Sequence, residues 1–175
     1  MIRLIVVMVL GSLCCQAEAQ PLGTVIKSQA IEMGRALVKG DLVTVKQYMH
    51  PKMISEAGGE QRATFLADSA MQLFKAMGGQ VKQILYGNPA PVIQYKNELQ
   101  TTLPQTISLV TPFADVEFHS TLVAISTDEG KHWMFIDTTV YREKDIREKL
   151  PDLSPALSIP PPQQPKITRK DPQNG

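Results

Sequence analysis

The chain has 175 residues, 18 Lys+Arg against 17 Asp+Glu, and a formal net charge of +1. That length suits one domain with a real core, and a near-neutral charge without a basic block leaves no electrostatic footprint for nucleic acid or anionic lipid. Both cysteines, Cys14 and Cys15, fall in the first nineteen residues, so the rest of the chain has no disulfide, thiol nucleophile or cysteine-based zinc site.

Residues 1–19, MIRLIVVMVLGSLCCQAEA, read as a secretory signal peptide. Arg3 gives the basic start, Leu4 to Leu13 the apolar stretch, and Ala17-Glu18-Ala19 the small-x-small cleavage site. The apolar run is too short to span a bilayer, which takes about 20 residues. Neither cysteine sits in the Leu-x-small-Cys context of a lipoprotein signal. The expected location is therefore periplasmic or secreted, with cleavage near Ala19 and no membrane span.

From there the periodicity is helical. Ile26, Ala30, Met33 and Leu37 form an amphipathic stripe over residues 25–39, stopped by Gly40. Asp41 is a suitable N-cap for a second, shorter helix with Leu42, Val45 and Met49 inward, ended by His50-Pro51. After a loop through Gly58-Gly59, residues 60–77 carry Leu66, Ala70, Leu73 and Met77 in register, closed by Gly78-Gly79. The many methionines suit either an irregular core or an adaptable ligand surface, and helical spacing favours the core.

Beyond Gly79 the period changes to two. Residues 81–86, 99–110, 115–126 and 131–140 are rich in Val, Ile, Thr and aromatics, with a short strand over Val92 to Tyr95. Asp128-Glu129-Gly130 reads as a tight hairpin turn. Arg142 to Lys149 forms a closing helix. From Pro151 the chain is proline-rich, and its small cluster Lys166, Arg169 and Lys170 reads as a solvated end. The expected organisation is a leader over 1–19, one domain over 20–149 and a disordered tail over 150–175. The fold class is α+β: three N-terminal helices on one face of a curved, mostly antiparallel sheet.

Four strings resemble the nuclear-transport-factor-2-like superfamily, a cone-shaped α+β fold: Lys39-Gly40-Asp41, His50-Pro51-Lys52, Ala57-Gly58-Gly59-Glu60, and the hairpin Ile125–Asp137. The similarity covers about residues 24–140 and rests on caps, turns and core aromatics. It implies a cone whose mouth can hold a small apolar ligand. It leaves activity open, since the superfamily includes isomerases, cyclases, dehydratases, ligand binders and scaffolds.

Chemistry in such a cone needs an inward acid or base among apolar walls. Asp137 and His119 are the candidates for a catalytic role, and Thr121, Trp133, Phe135 and Asp137 for ligand binding. A three-residue hairpin loop pairs Thr121 with Asp137 and puts His119 on their face. A four-residue loop pairs Ser120 with Asp137 and sends His119 to the other face, because a one-residue slip reverses the faces. His50 reads as a turn residue and His132 as solvent-facing. No pattern of metal ligands, nucleophile elbow or phosphate loop is present, and neither metal nor cofactor is expected. The leading functional expectation is an exported non-enzymatic domain that binds a small apolar molecule or an envelope protein, with a possible homodimer through the sheet. The alternative is an isomerase-, cyclase- or dehydratase-type enzyme. A proline-rich tail that docks a partner in extended form is the third.

Overall fold

The computed structural model describes residues 21–170, and the expected leader over 1–19 lies outside them. Helix α1 (Leu22–Lys39) buries Ile26, Ala30, Gly34 and Ala36 and ends at Gly40, whose φ of 77° is the left-handed angle a C-terminal glycine supplies. Helix α2 (Leu42–Gln47) starts at the predicted cap: the Asp41 carboxylate accepts from Thr44 N at 3.1 Å and Thr44 Oγ1 at 2.6 Å. A further helix, α3 (Pro51–Glu56), fills the expected loop, so four helices precede the strands rather than three. The proline that ends one helix opens the next, since its fixed φ and missing N–H suit a first helical position. His50 caps α3 by accepting the Lys52 N–H at Nδ1.

Helix α4 (Glu60–Ala76) forms as its periodicity predicts but does not bury its stripe. It has no buried residue, and Leu66, Leu73 and Met77 are 48%, 62% and 60% exposed. The helix leans mainly on α2 and α3 rather than on the sheet, so the apolar spacing made a helix without giving it a core-facing side.

Six antiparallel strands follow: β1 (Gln80–Tyr86), β2 (Ile93–Tyr95), β3 (Glu98–Val110), β4 (Ala114–Ser126), β5 (Met134–Asp137) and β6 (Lys166–Arg169). The sheet is open, in the order β1-β3-β4-β5. The long β3 and β4 pair without a break from Leu99↔Ser126 to Val110↔Asp115. β2 and β1 share the outer side of β3, and β5 and β6 share that of β4. Pro104 sits inside β3 where β1 has ended and β2 has not begun. The Thr102 and Pro104 carbonyls accept there from Ala90 N and Gly87 N. The proline nitrogen shares that side, where no ladder partner needs its N–H.

Alternation along β3 and β4 gives the sheet two apolar faces over its Leu99–Leu103 half. Leu103, Leu122, Ala124 and Phe135 pack with Ile26, Ala30 and Tyr48. On the reverse, Val123, Ile125 and Ile136 pack with Met53, Ile146 from α5 (Glu143–Lys149), and Leu153, Leu157 and Ile159. The expectation of a disordered tail from residue 150 is therefore corrected. Leu153, Leu157 and Ile159 are 6%, 3% and 4% exposed. Buried Gln100 donates Nε2 to the Asp152 carbonyl (2.9 Å) and accepts Ser154 N at Oε1 (2.8 Å), while Arg147 donates to the Ser154 and Leu157 carbonyls. Proline bars helix and ladder bonds but not burial of the side chains between prolines. β6, exposed at every residue, adds itself to the free edge of β4.

Leu157→Ala should thus lower the unfolding free energy by about 2–5 kcal/mol, as for a buried leucine. Leu73→Ala should change it by no more than about 0.5 kcal/mol. A chain ending at Pro151 should lose more than Leu157→Ala or cease to unfold cooperatively. Urea denaturation of the three variants checks the order.

Candidate functional site

The site begins with the connection between β4 and β5. Its tight turn is replaced by a seven-residue span, Thr127 to Trp133, between the strand ends. Ser126 Oγ accepts Gly130 N (3.0 Å) and donates to Asp128 Oδ1 (2.8 Å), which also accepts His132 N (2.9 Å). Glu129 and Gly130 take φ of 64° and 87°. The His132 backbone bond, then Ser126, holds the Asp128 carboxyl below its usual 3.8. A lowered carboxyl stabilises the fold at neutral pH, a contribution lost as pH falls through its folded value.

This longer connection sets a register that neither expected loop gives: Asp137 lies opposite Leu122, Ile136 opposite Val123 and Phe135 opposite Ala124. Asp137 therefore shares a face with Phe135, Leu122, Ser120 and Gln105, while Thr121 and His119 lie on the reverse. The expected grouping of His119, Thr121 and Asp137 does not form. His119 instead bonds Thr106 Oγ1 through Nδ1 (3.1 Å) and Glu117 through Nε2 (2.9 Å). Thr121 is buried and pairs its backbone with Thr138. Trp133, fully buried, packs in the α1 core and donates Nε1–H to the Gly130 carbonyl (3.0 Å). His132, exposed as expected, stacks on Tyr48 with its Nε2 2.9 Å from the Gln47 carbonyl.

Phe135 and Asp137 line a cavity of about 220 Å³ between α1, α2 and the sheet. Its walls include Met33, Leu37, Met49, Ile107 and Leu122. Phe135 N donates to the Tyr48 carbonyl at 2.7 Å, a bond that ties β5 to the α2–α3 connection and brings Met49 to the wall. Four polar residues interrupt the lining: Tyr86, Gln105, Asp137 and Tyr141. Gln105 Nε2 donates to Asp137 Oδ2 (2.7 Å) and Ser120 Oγ (2.9 Å), and Asp137 Oδ1 accepts Thr139 N (2.8 Å). With both its N–H groups spent, Gln105 has a carbonyl oxygen to offer the cavity.

Burial, and then the charge of Asp137, pushes the Tyr86 phenol well above its usual range, so it stays a hydroxyl at any physiological pH. The phenol fits because residue 34 of α1 is glycine: a Cβ there would lie 2.5 Å from the Tyr86 hydroxyl. Gln105 and Tyr86 were not singled out from sequence, although Gln105 carries a signal. It is a lone amide between Leu103 and Ile107, the inward positions of an apolar strand.

Asp137→Asn replaces an all-acceptor group with one that must turn an NH₂ toward Gln105 Nε2 or Thr139 N. It should cost about 1–3 kcal/mol, the range for losing a hydrogen bond to a charged group and leaving a donor unmatched. Thermal or urea unfolding checks it, and a stabilised variant would show that Asp137 is not a structural acceptor.

Among known proteins, no protein-family model, no curated sequence and no solved structure matches this chain.

Proposed function

We propose that the protein is an exported, non-enzymatic domain that holds a small apolar molecule between α1 and the sheet. The observation that carries this reading is the mainly apolar cavity of about 220 Å³, whose polar lining is Tyr86, Gln105, Asp137 and Tyr141. A dry cavity of about 150 Å³ already takes up benzene, so this volume suits a compact ligand of roughly two rings or a short alkyl chain. Met33, Met49 and Met53 in the lining supply the adaptable walls such a site uses. The Tyr86 hydroxyl and Gln105 carbonyl give the ligand one donor and one acceptor.

Resemblance to the nuclear-transport-factor-2-like cone supports the same reading, as does the order of helices before antiparallel strands around this cavity. Its extracytoplasmic location rests on the tripartite Arg3–Ala19 segment. An isomerase-type enzyme is the weaker reading. Both Asp137 oxygens already accept protein donors, and His119 stands on the opposite face of the sheet.

The test is calorimetric titration with 2-naphthol, a neutral two-ring probe with one hydroxyl. Wild-type protein should bind it saturably, and Ile107→Trp, which fills the cavity from β3, should abolish binding while leaving the far-ultraviolet circular dichroism unchanged. Absence of binding up to the solubility of the probe, or unaltered binding by the filled variant, would refute the reading.

A further inference from the structure

A second depression runs along the other side of α1. This groove, of about 510 Å³, lies between α1 and β1, and its charged lining is Lys27, Arg35 and Lys39, with no carboxylate. Among the described residues no ion pair engages these three side chains. Lys27 Nζ donates only to the neutral Asn88 Oδ1 at 3.3 Å. The acid nearest in sequence to Lys39 is Asp41, whose carboxylate feels the Lys39 charge but accepts its hydrogen bonds from Thr44. Between the cations the floor is apolar, with Val38 and Leu85 39% and 54% exposed. A chain of net charge +1 thus gathers three positive charges, none of them in an ion pair, along one groove.

The groove and the cavity share a wall. Gly34, Ile84 and Tyr86 line both, and at Gly34 the barrier is one phenol edge against a residue without a side chain. The Tyr86 ring packed on Gly34 closes this seam, so a molecule that reaches from the cavity to the cations of the groove has that one ring to displace.

From this juxtaposition we infer that the ligand is an anionic amphiphile: a short apolar body held in the α1–sheet cavity, with its negatively charged head placed by Lys27, Arg35 and Lys39. The inference rests on the reading of the cavity as a ligand site and adds the ligand's charge and direction. The Gln105–Asp137 end of the cavity is ill suited to an anion, because Asp137 is itself a carboxylate there. The head must point the other way, toward the Gly34–Tyr86 wall behind which the cations of the groove lie.

The experiment compares octanoate with 1-octanol by isothermal titration calorimetry on the whole purified protein. Octanoate should bind about tenfold more tightly at low ionic strength, a preference of the size that one partly screened charge contact supplies. The preference should shrink as salt is raised toward 1 M, where the screening length falls to about 3 Å. The double variant Arg35→Gln with Lys39→Gln, both in the lining of the groove and neither in that of the cavity, should remove the preference by weakening octanoate rather than octanol. If octanol and octanoate bind equally, or if the double variant keeps the preference, the anionic head is refuted and the cavity still stands as an apolar site. If neither binds, the cavity reading itself fails and the inference falls with it.

Discussion

Everything in this molecule is referred to the unbroken pairing of β3 with β4. Twelve residues of each strand run side by side from Leu99↔Ser126 to Val110↔Asp115. Because side chains alternate strictly along such a ladder, one register assigns each of these residues to one of two faces. The short strands then complete what the two long ones leave unpaired, β1 and β2 along β3, β5 and β6 along β4. Pro104 is tolerated in the middle because its nitrogen falls in the gap between two of those short partners.

A sheet that is apolar on both faces must be covered twice. α1 covers the first face, with Ile26 and Ala30 against Leu103 and Leu122. α5 and the segment through Ile159 cover the second, where Val123, Ile125 and Ile136 would otherwise meet water. Gln100 makes the second cover specific as well as apolar. A buried amide is costly unless its donors and acceptor are met, and here Asp152, Ser154 and Glu98 meet them. The closing segment is thereby fixed in position along the strand and not merely adsorbed.

The cavity follows from the same geometry. On the first face, beyond the packed Leu103–Leu122 layer, the row continues into Gln105, Ile107 and Asp137, which α1 roofs with Met33, Gly34 and Leu37. The polar cluster is built inward from the sheet, each member held by another: Gln105 by Ser120 and Asp137, and Asp137 by the Thr139 backbone. The absence of a side chain at residue 34 lets the Tyr86 phenol close the cavity against α1 and leaves only that ring between the apolar interior and the cationic groove.

Local chemistry by itself determined most of the elements, α3 and β6 excepted. Stripes at three and four made α1 and α4 helical, Asp41 and Gly40 fixed helix ends, and period-two runs bounded by glycine and proline gave the strands. The α+β class was legible for the same reason, and Phe135 and Asp137, named from the hairpin, stand on the wall of the cavity in a different register. What lay beyond a few residues of sequence was decided by tertiary structure. Whether the stripe of α4 found a partner depended on where the sheet lay, and it found little. Whether Leu153, Leu157 and Ile159 were solvated depended on an uncovered sheet face some thirty residues back in the chain, at Val123 and Ile125. The register of β5 turned on side-chain bonds within the 127–133 connection, and that register separated His119 from Asp137 and joined Asp137 to Gln105. Composition reports which groups can be buried or charged; only the packed chain decides which of them meet, because the meeting is between residues far apart in sequence.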